Sequence, residues 1–242
     1  MSNSQCVILV PANNGIEPAC DHALRQLERM GYQVWRVPGF SQIDTARSQL
    51  ATDAVARGFE ELVWIDSDTE FDPASVERLR SHNLPIVSGL YPKKGMRALA
   101  SSLLPATKKI VFGEGGGLIE IRYAATGFLY TRRQVYLDIQ RQCNLPVCNL
   151  QFNKPLVPFF MTTVVETDDS TPGAPKHWYL SEDFAFSHRA RQAGYKIYAD
   201  STIRLGHIGR YTYAWEDAGT SMNRYSTFHF QVSDANPPIG PE

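Results

Sequence analysis

Asp66 and Asp68, separated only by Ser67, give the sequence its strongest chemical signal. They close the apolar stretch Leu62-Val63-Trp64-Ile65, so both carboxylates stand at the exit of a buried strand. Oxygen donors in this arrangement suit a hard divalent cation, Mg²⁺ or Mn²⁺. Two like charges this close are costly unless a cation or protons offset them. The same tripeptide also serves as a plain strand-to-loop turn through side-chain-to-backbone hydrogen bonds.

A second acidic group, Ser181-Glu182-Asp183, opens a helical pattern that runs to about Ala193, with Ser181 as N-cap. Acids in a first helical turn are favoured by the helix dipole whatever their role. As chemistry, one of them would be a general base that deprotonates an attacking hydroxyl. By helical angle Asp183 falls nearly on the side of Phe186 and Ala190, which faces the sheet, and it is the candidate. The helix N-terminus is expected to keep this carboxylate ionised and weakly basic, leaving proximity to supply much of the effect. The third signal is His207, flanked by Gly206 and Gly209 just past a strand. Those glycines permit close backbone approach, although a lone histidine also reads as a structural residue.

Alternating strands and helices position these groups. Val7–Val10, Tyr32–Val37, Leu62–Ile65 and Ile86–Ser88 read as strands, with helices over about Ala19–Met30, from Ile43 to Gly58, and from an Asp72 N-cap with Pro73 at the first helical position. Three strand–helix units in series imply an α/β fold with a mostly parallel central sheet, and ligands in such sheets sit beyond the carboxyl ends of the strands. Further on, Ile110–Phe112 and Leu118–Tyr123 read as a hairpin across Gly113–Gly117, with strands at Thr126–Thr131, Lys196–Ala199 and Thr202–Leu205 and a helix over Arg133–Cys143. The glycine run is a turn rather than a phosphate cradle, because strands flank it on both sides. Asp168–Pro175 reads as flexible.

The 242 residues carry 24 Lys plus Arg against 25 Asp plus Glu, a formal net charge of −1 that argues against general nucleic-acid binding. There is no apolar run long enough to cross a bilayer, no leader pattern ahead of the first strand, and no cysteine framework in Cys6, Cys20, Cys143 and Cys148, so a cytoplasmic protein is expected. The expected organisation is one domain over 1–232, with a nucleotide-binding half at 1–100, an acceptor-side half at 101–232, and a disordered tail at 233–242. The aromatic C-terminal region (Tyr211, Tyr213, Trp215, Tyr225, Phe228, Phe230) is expected to cover the site or pack against a second copy of the chain.

In order along the chain come Val7–Gly15, Thr45-Ala46-Arg47-Ser48, Asp66-Ser67-Asp68, Ser88-Gly89-Leu90-Tyr91-Pro92-Lys93-Lys94, Ala125-Thr126-Gly127-Phe128, Glu182-Asp183-Phe184 through Arg189, and His207-Ile208-Gly209. This ordered set resembles small glycosyltransferases of the GT-A fold, similar to the family-2-like enzymes of bacteria and their phages, and covers all but roughly the last 25 residues. The resemblance implies a central sheet with a small second antiparallel sheet, and a metal-dependent transfer of a sugar from a nucleotide-diphosphate sugar to a hydroxyl acceptor, by single addition with inversion. Asp66, Asp68 and His207 would hold Mn²⁺ or Mg²⁺. Pro11, Ala12, Asn13, Asn14, Arg47, Asp66 and Ser67 would line the nucleotide. Lys93, Gly127, Phe128, Trp178 and Glu182 would border the sugar or acceptor, and Asp183 would be the base.

Two features depart from the wider pattern. Val37-Pro38-Gly39-Phe40 lacks the acid that often follows the second strand and reads the base, and the Gln-x-x-Arg-Trp motif of processive synthases is absent. Two other readings stand beside the resemblance: a haloacid-dehalogenase-like phosphatase with Asp66 as nucleophile, although Glu70 departs from that motif, and a non-catalytic nucleotide-sugar-binding module.

Overall fold

The computed structural model describes residues 2–13, 15–167, 176–209, 211–218 and 227–231. Asn14, the stretch 168–175 and the tail 233–242 therefore lie outside the described residues, as does Tyr225.

In chain order the strands are β1 (Cys6–Ala12), β2 (Gln33–Pro38), β3 (Glu61–Ile65), β4 (Thr69–Glu70), β5 (Ile86–Gly89), β6 (Ser102–Leu103), β7 (Lys109–Gly113), β8 (Leu118–Tyr123), β9 (Phe128–Arg132), β10 (Thr163–Glu166), β11 (His177–Leu180), β12 (Ile197–Asp200), β13 (Gly206–Ile208), β14 (Thr212–Tyr213) and β15 (Thr227–Gln231). The helices are α1 (Pro18–Arg29), α2 (Ile43–Ala56), α3 (Ala74–Ser81), α4 (Arg133–Gln142) and α5 (Glu182–Gln192). Eight strands form the central sheet in the order β2-β1-β3-β9-β5-β12-β8-β6. Parallel pairing joins β1 to β2 and β3, and β5 to β12, whereas β9 and β8 run antiparallel to their neighbours. The α/β fold with a mostly parallel sheet is thus present, and three smaller antiparallel sheets accompany it rather than one: β10-β11, β14-β13-β4 and β15-β7.

Strand alternation splits the core into two layers. Val7, Leu9, Leu62 and Trp64 face α2, α4 and α5, whose Leu50, Ala54, Tyr136, Ile139, Phe186 and Ala190 fill that side. Ile8, Val10, Val63 and Ile65 face the other way, onto Ala23, Leu24 and Leu27 of α1 and Val76 and Leu79 of α3. With both faces covered, strands such as β1 and β3 are buried at every position, which is why they read as unbroken apolar runs.

Four expectations need correction. The hairpin over 110–123 does not form: β7 pairs with β15, while β8 joins the central sheet between β12 and β6. Gly113 and Gly115, at φ 75° and 80°, turn the chain between these two sheets. No strand occupies Thr202–Leu205, and the ladder resumes at β13. The third helix starts one residue late, with Pro73 at the cap and the Asp72 carboxylate accepting from the Ala74 N–H at 2.9 Å. Within the aromatic C-terminal region, Trp215 is buried in the chain's own core, 5.1 Å from the Phe112 ring.

Candidate active site

β1, β3, β5 and β12 run in one direction, so their carboxyl ends open on one edge of the sheet, and the candidate residues gather there. Asp66 follows β3 directly; its N–H donates to the Gly127 carbonyl at 3.0 Å and its own carbonyl accepts from Thr69 at 3.1 Å. That turn sends the chain into β4, which pairs antiparallel with β13 and sets His207 opposite Thr69. The Ile208 N–H donates to the Asp68 carbonyl at 2.8 Å. This pairing brings His207 to the acidic turn, with Nε2 3.7 Å from Asp68 Oδ1. The pairing is close at Gly206: a Cβ there would come within 2.7 Å of Glu70 Oε2 and 2.9 Å of Thr212 Cγ2, so those side chains would have to shift.

His207 is held from behind. Its Nδ1 lies 2.9 Å from the Pro92 carbonyl, and its ring meets Tyr91 edge-on at 5.2 Å. A carbonyl only accepts, so Nδ1 carries a proton, and Nε2 is the ring nitrogen that faces Asp68.

Each carboxylate already has a protein cation beside it. Arg47, on α2 and 4% exposed, donates from Nη2 to Asp66 Oδ1 at 2.9 Å and Oδ2 at 3.2 Å. Lys94, in the loop after β5, sets Nζ 2.5 Å from Asp68 Oδ2. Among the described residues no three His, Cys, Asp or Glu side chains stand together as a ready-made metal cage. Mg²⁺-type sites seldom use one, relying on one or two carboxylates completed by substrate phosphates and water. Asp68 with Nε2 of His207 fits such a partial set; Asp66 lies in the grip of Arg47.

Arg47 also reaches toward the second acidic group, its Nε standing 3.7 Å from Glu182 Oε1. Nε and Nη1 are buried with no hydrogen-bond partner. Burial pulls the guanidinium pKa down, but Asp66, Glu182 and Asp183 outweigh it and hold the group above its ordinary value. Asp183 Oδ1 accepts from the Ser181 hydroxyl at 2.5 Å and from the Phe184 N–H at 2.8 Å. The Ser181 hydroxyl therefore orients Asp183 and makes no N-cap hydrogen bond of its own. The expectation of a weakly basic Asp183 is overturned: burial pushes its carboxyl above the ordinary value despite Ser181 and Arg47, and Glu182 is raised the same way.

Gly127 lies in the angle between Asp66 and Tyr91. A Cβ there would stand 2.4 Å from the Tyr91 hydroxyl and 2.9 Å from Asp66 Oδ2, and the hydroxyl accepts from the Gly127 N–H at 2.9 Å. Phe128 is fully buried against Phe71, so its ring backs the site and does not face a ligand. Pro11 and Ala12 are buried positions within β1 itself, paired with Val37 and Pro38, and Asn13 is exposed just beyond them. Ser67 contributes its carbonyl to the Glu17 N–H at 2.8 Å. Trp178 sits among Tyr123, Phe184 and Arg122, at 5.6, 6.0 and 5.4 Å. Lys93 turns its N–H to the Ala98 carbonyl, and it is the neighbouring Lys94 that reaches Asp68. Tyr91 and the Pro92 carbonyl, which the sequence presents only within the Ser88–Lys94 segment and not as site residues, are brought to the site by their place just past a buried strand.

No protein-family model matches the chain, and no curated protein matches it by sequence. Solved structures do. The crystal structure of A197 from STIV aligns over 92% of this chain and 100% of its own at a TM-score of 0.54 and 13% identity, which shows a shared fold. A glycosyltransferase involved in glycosylation of the major capsid of PBCV-1 aligns over 56% of this chain and 63% of its own, at 0.33 and 14%. UDP-glucose pyrophosphorylase complexed with UDP-glucose aligns over 85% of this chain and 76% of its own, at 0.38 and 9%. The last two scores are too low to bear on the argument.

Proposed function

We propose that this chain is a GT-A-type glycosyltransferase that moves one sugar from a nucleotide-diphosphate sugar to a hydroxyl acceptor, with inversion at the anomeric carbon. The observation that carries the reading is the approach of His207 Nε2 to 3.7 Å from Asp68, across most of the chain length, through the β4–β13 pairing. Asp68 and His207, with Asp66, would hold Mn²⁺ or Mg²⁺, which when bound offsets the charge developing on the leaving diphosphate. Asp183, with Oδ1 taken by Ser181 and Phe184, would receive the acceptor proton on Oδ2. Its raised pKa makes it a stronger base than an ordinary aspartate. The nucleotide would lie along Pro11, Ala12, Asn13 and Ser67 near Arg47, and the acceptor near Gly127, Lys93, Glu182 and Trp178. Among the described residues no helix is long and apolar enough to cross a membrane; a cytoplasmic setting belongs to the same proposal.

Thermal stabilisation by UDP or GDP with Mn²⁺, followed by transfer or hydrolysis of the donor sugar, tests it. We expect a shift that Asp68→Ala abolishes and turnover that Asp183→Ala abolishes. No nucleotide shift alongside turnover of a generic phosphate ester would overturn it in favour of the phosphatase. A shift with no turnover, unchanged in Asp183→Ala, would favour the binding module.

A further inference from the structure

Lys94 reaches the acidic turn from the loop after β5. Its side chain is 36% exposed, free to reach solvent, yet its stem runs over Gly209, where a Cβ would stand 3.4 Å from Lys94 Cδ, and its ammonium ends on Asp68 Oδ2. On the other carboxylate oxygen, Oδ1, the neighbour is Nε2 of His207, at 3.7 Å. Asp66 is served separately by Arg47. The carboxylate that a divalent cation would use is thus already paired, through Oδ2, with a cation built into the chain, on an arm long enough to move.

We propose that Lys94 is the resident counter-cation of Asp68, that it is displaced when a divalent cation enters between Asp68 and His207, and that its freed ammonium then binds the diphosphate of the donor. This rests on the metal-dependent reading above. The two cations would share one carboxylate: an ion lodged on Oδ1, between Asp68 and His207, stands beside the ammonium on Oδ2, and like charges drive the ammonium off. The ammonium is a flexible, strongly hydrated point charge that re-pairs readily with phosphate oxygens. The arrangement makes cation entry and donor binding support each other, because the diphosphate offers the displaced lysine a new partner. It also makes Lys94 a positioning residue with opposite effects on two ligands, which a merely structural lysine would not show.

The test measures binding of Mn²⁺ alone, and of inorganic pyrophosphate in saturating Mn²⁺, to the full chain and to Lys94→Gln, without turnover. Lys94→Gln is expected to bind Mn²⁺ alone roughly 5-fold more tightly, the size of one partly exposed ion pair, and to bind pyrophosphate more weakly. Adding Asp68→Asn to Lys94→Gln is expected to remove the gain. Unchanged or weaker Mn²⁺ binding in Lys94→Gln would overturn the displacement while leaving the metal site standing. Tighter Mn²⁺ binding with unchanged pyrophosphate binding would overturn the transfer to the diphosphate. No Mn²⁺ binding by either protein would overturn the metal-dependent reading, and this proposal with it.

Discussion

Arg47 grips Asp66 with a single nitrogen, Nη2, and leaves Nε and Nη1 buried without a hydrogen-bond partner. A guanidinium normally spends its fork on two acceptors, and here the second acceptor, Glu182, stands 3.7 Å off, just beyond bonding reach. Breaking a satisfied buried pair costs about 3–5 kcal/mol, but removing unpaired donors offsets part of that. Arg47→Met is therefore expected to lose only about 2 kcal/mol in urea unfolding, while losing most nucleoside-diphosphate affinity by calorimetry. Affinity equal to the parent's would show that the unpaired nitrogens serve no ligand.

Gly127 and Tyr91 are expected to be non-additive. Gly127→Ala drives a methyl into the Tyr91 hydroxyl and Asp66, an overpacking cost of about 1–3 kcal/mol. Tyr91→Phe leaves the Gly127 N–H without its acceptor, about 1–3 kcal/mol. In the double variant the missing hydroxyl makes room for the methyl, so its loss should be smaller than the two single losses added. A strictly additive cycle, read by thermal and urea unfolding, would disprove the close fit.

The raised pKa of Asp183 has a sign in stability. Its folded-state value lies above that of the unfolded chain, so the favourable contribution is complete below the ordinary aspartate range and fades as pH rises through the folded value. Asp183→Asn keeps an oxygen for Ser181 and Phe184 and removes the ionising group. The variant should gain stability over the parent as pH rises above the ordinary aspartate range, while losing transfer activity by roughly 100-fold or more. A loss of stability that grows with pH would contradict the burial argument.

Asp200 makes the opposite prediction. It is fully buried, and although burial pushes its carboxyl up, hydrogen bonds from Thr202, Arg78 and His82 prevail and hold it at about 2. The stabilisation, about 2–3 kcal/mol, is complete above the ordinary aspartate range and is lost as pH falls toward 2. Asp200→Asn should lower stability at neutral pH and flatten the acid limb of an unfolding titration monitored by circular dichroism.

Legibility in the sequence followed locality. β1 and β3 announce themselves because both faces are covered, and Asp66, Asp68, His207 and Asp183 stand out because strand exits and helix starts are written in a few neighbouring residues. What failed depends on distant partners. β7 looks like half a hairpin until Thr227–Gln231 takes its edge. The Arg47–Asp66 and Lys94–Asp68 pairs join different elements, and nothing near Lys93 and Lys94 says which lysine turns inward. The basicity of Asp183 is not legible in the sequence, because burial is a property of the packed fold and outweighs the helix dipole that the local sequence displays.

The place of β9 between β3 and β5 bears on how the chain is made. While only the first hundred residues have left a ribosome, β3 and β5 lack the strand that joins them, and the facing rows of amides and carbonyls along Glu61–Ile65 and Ile86–Gly89 stay open. Open strand edges recruit other chains. A nascent chain halted near residue 100 is thus adhesive; Phe128–Arg132 closes the gap between β3 and β5 when it emerges, and the far edge of β5 waits for Ile197–Asp200.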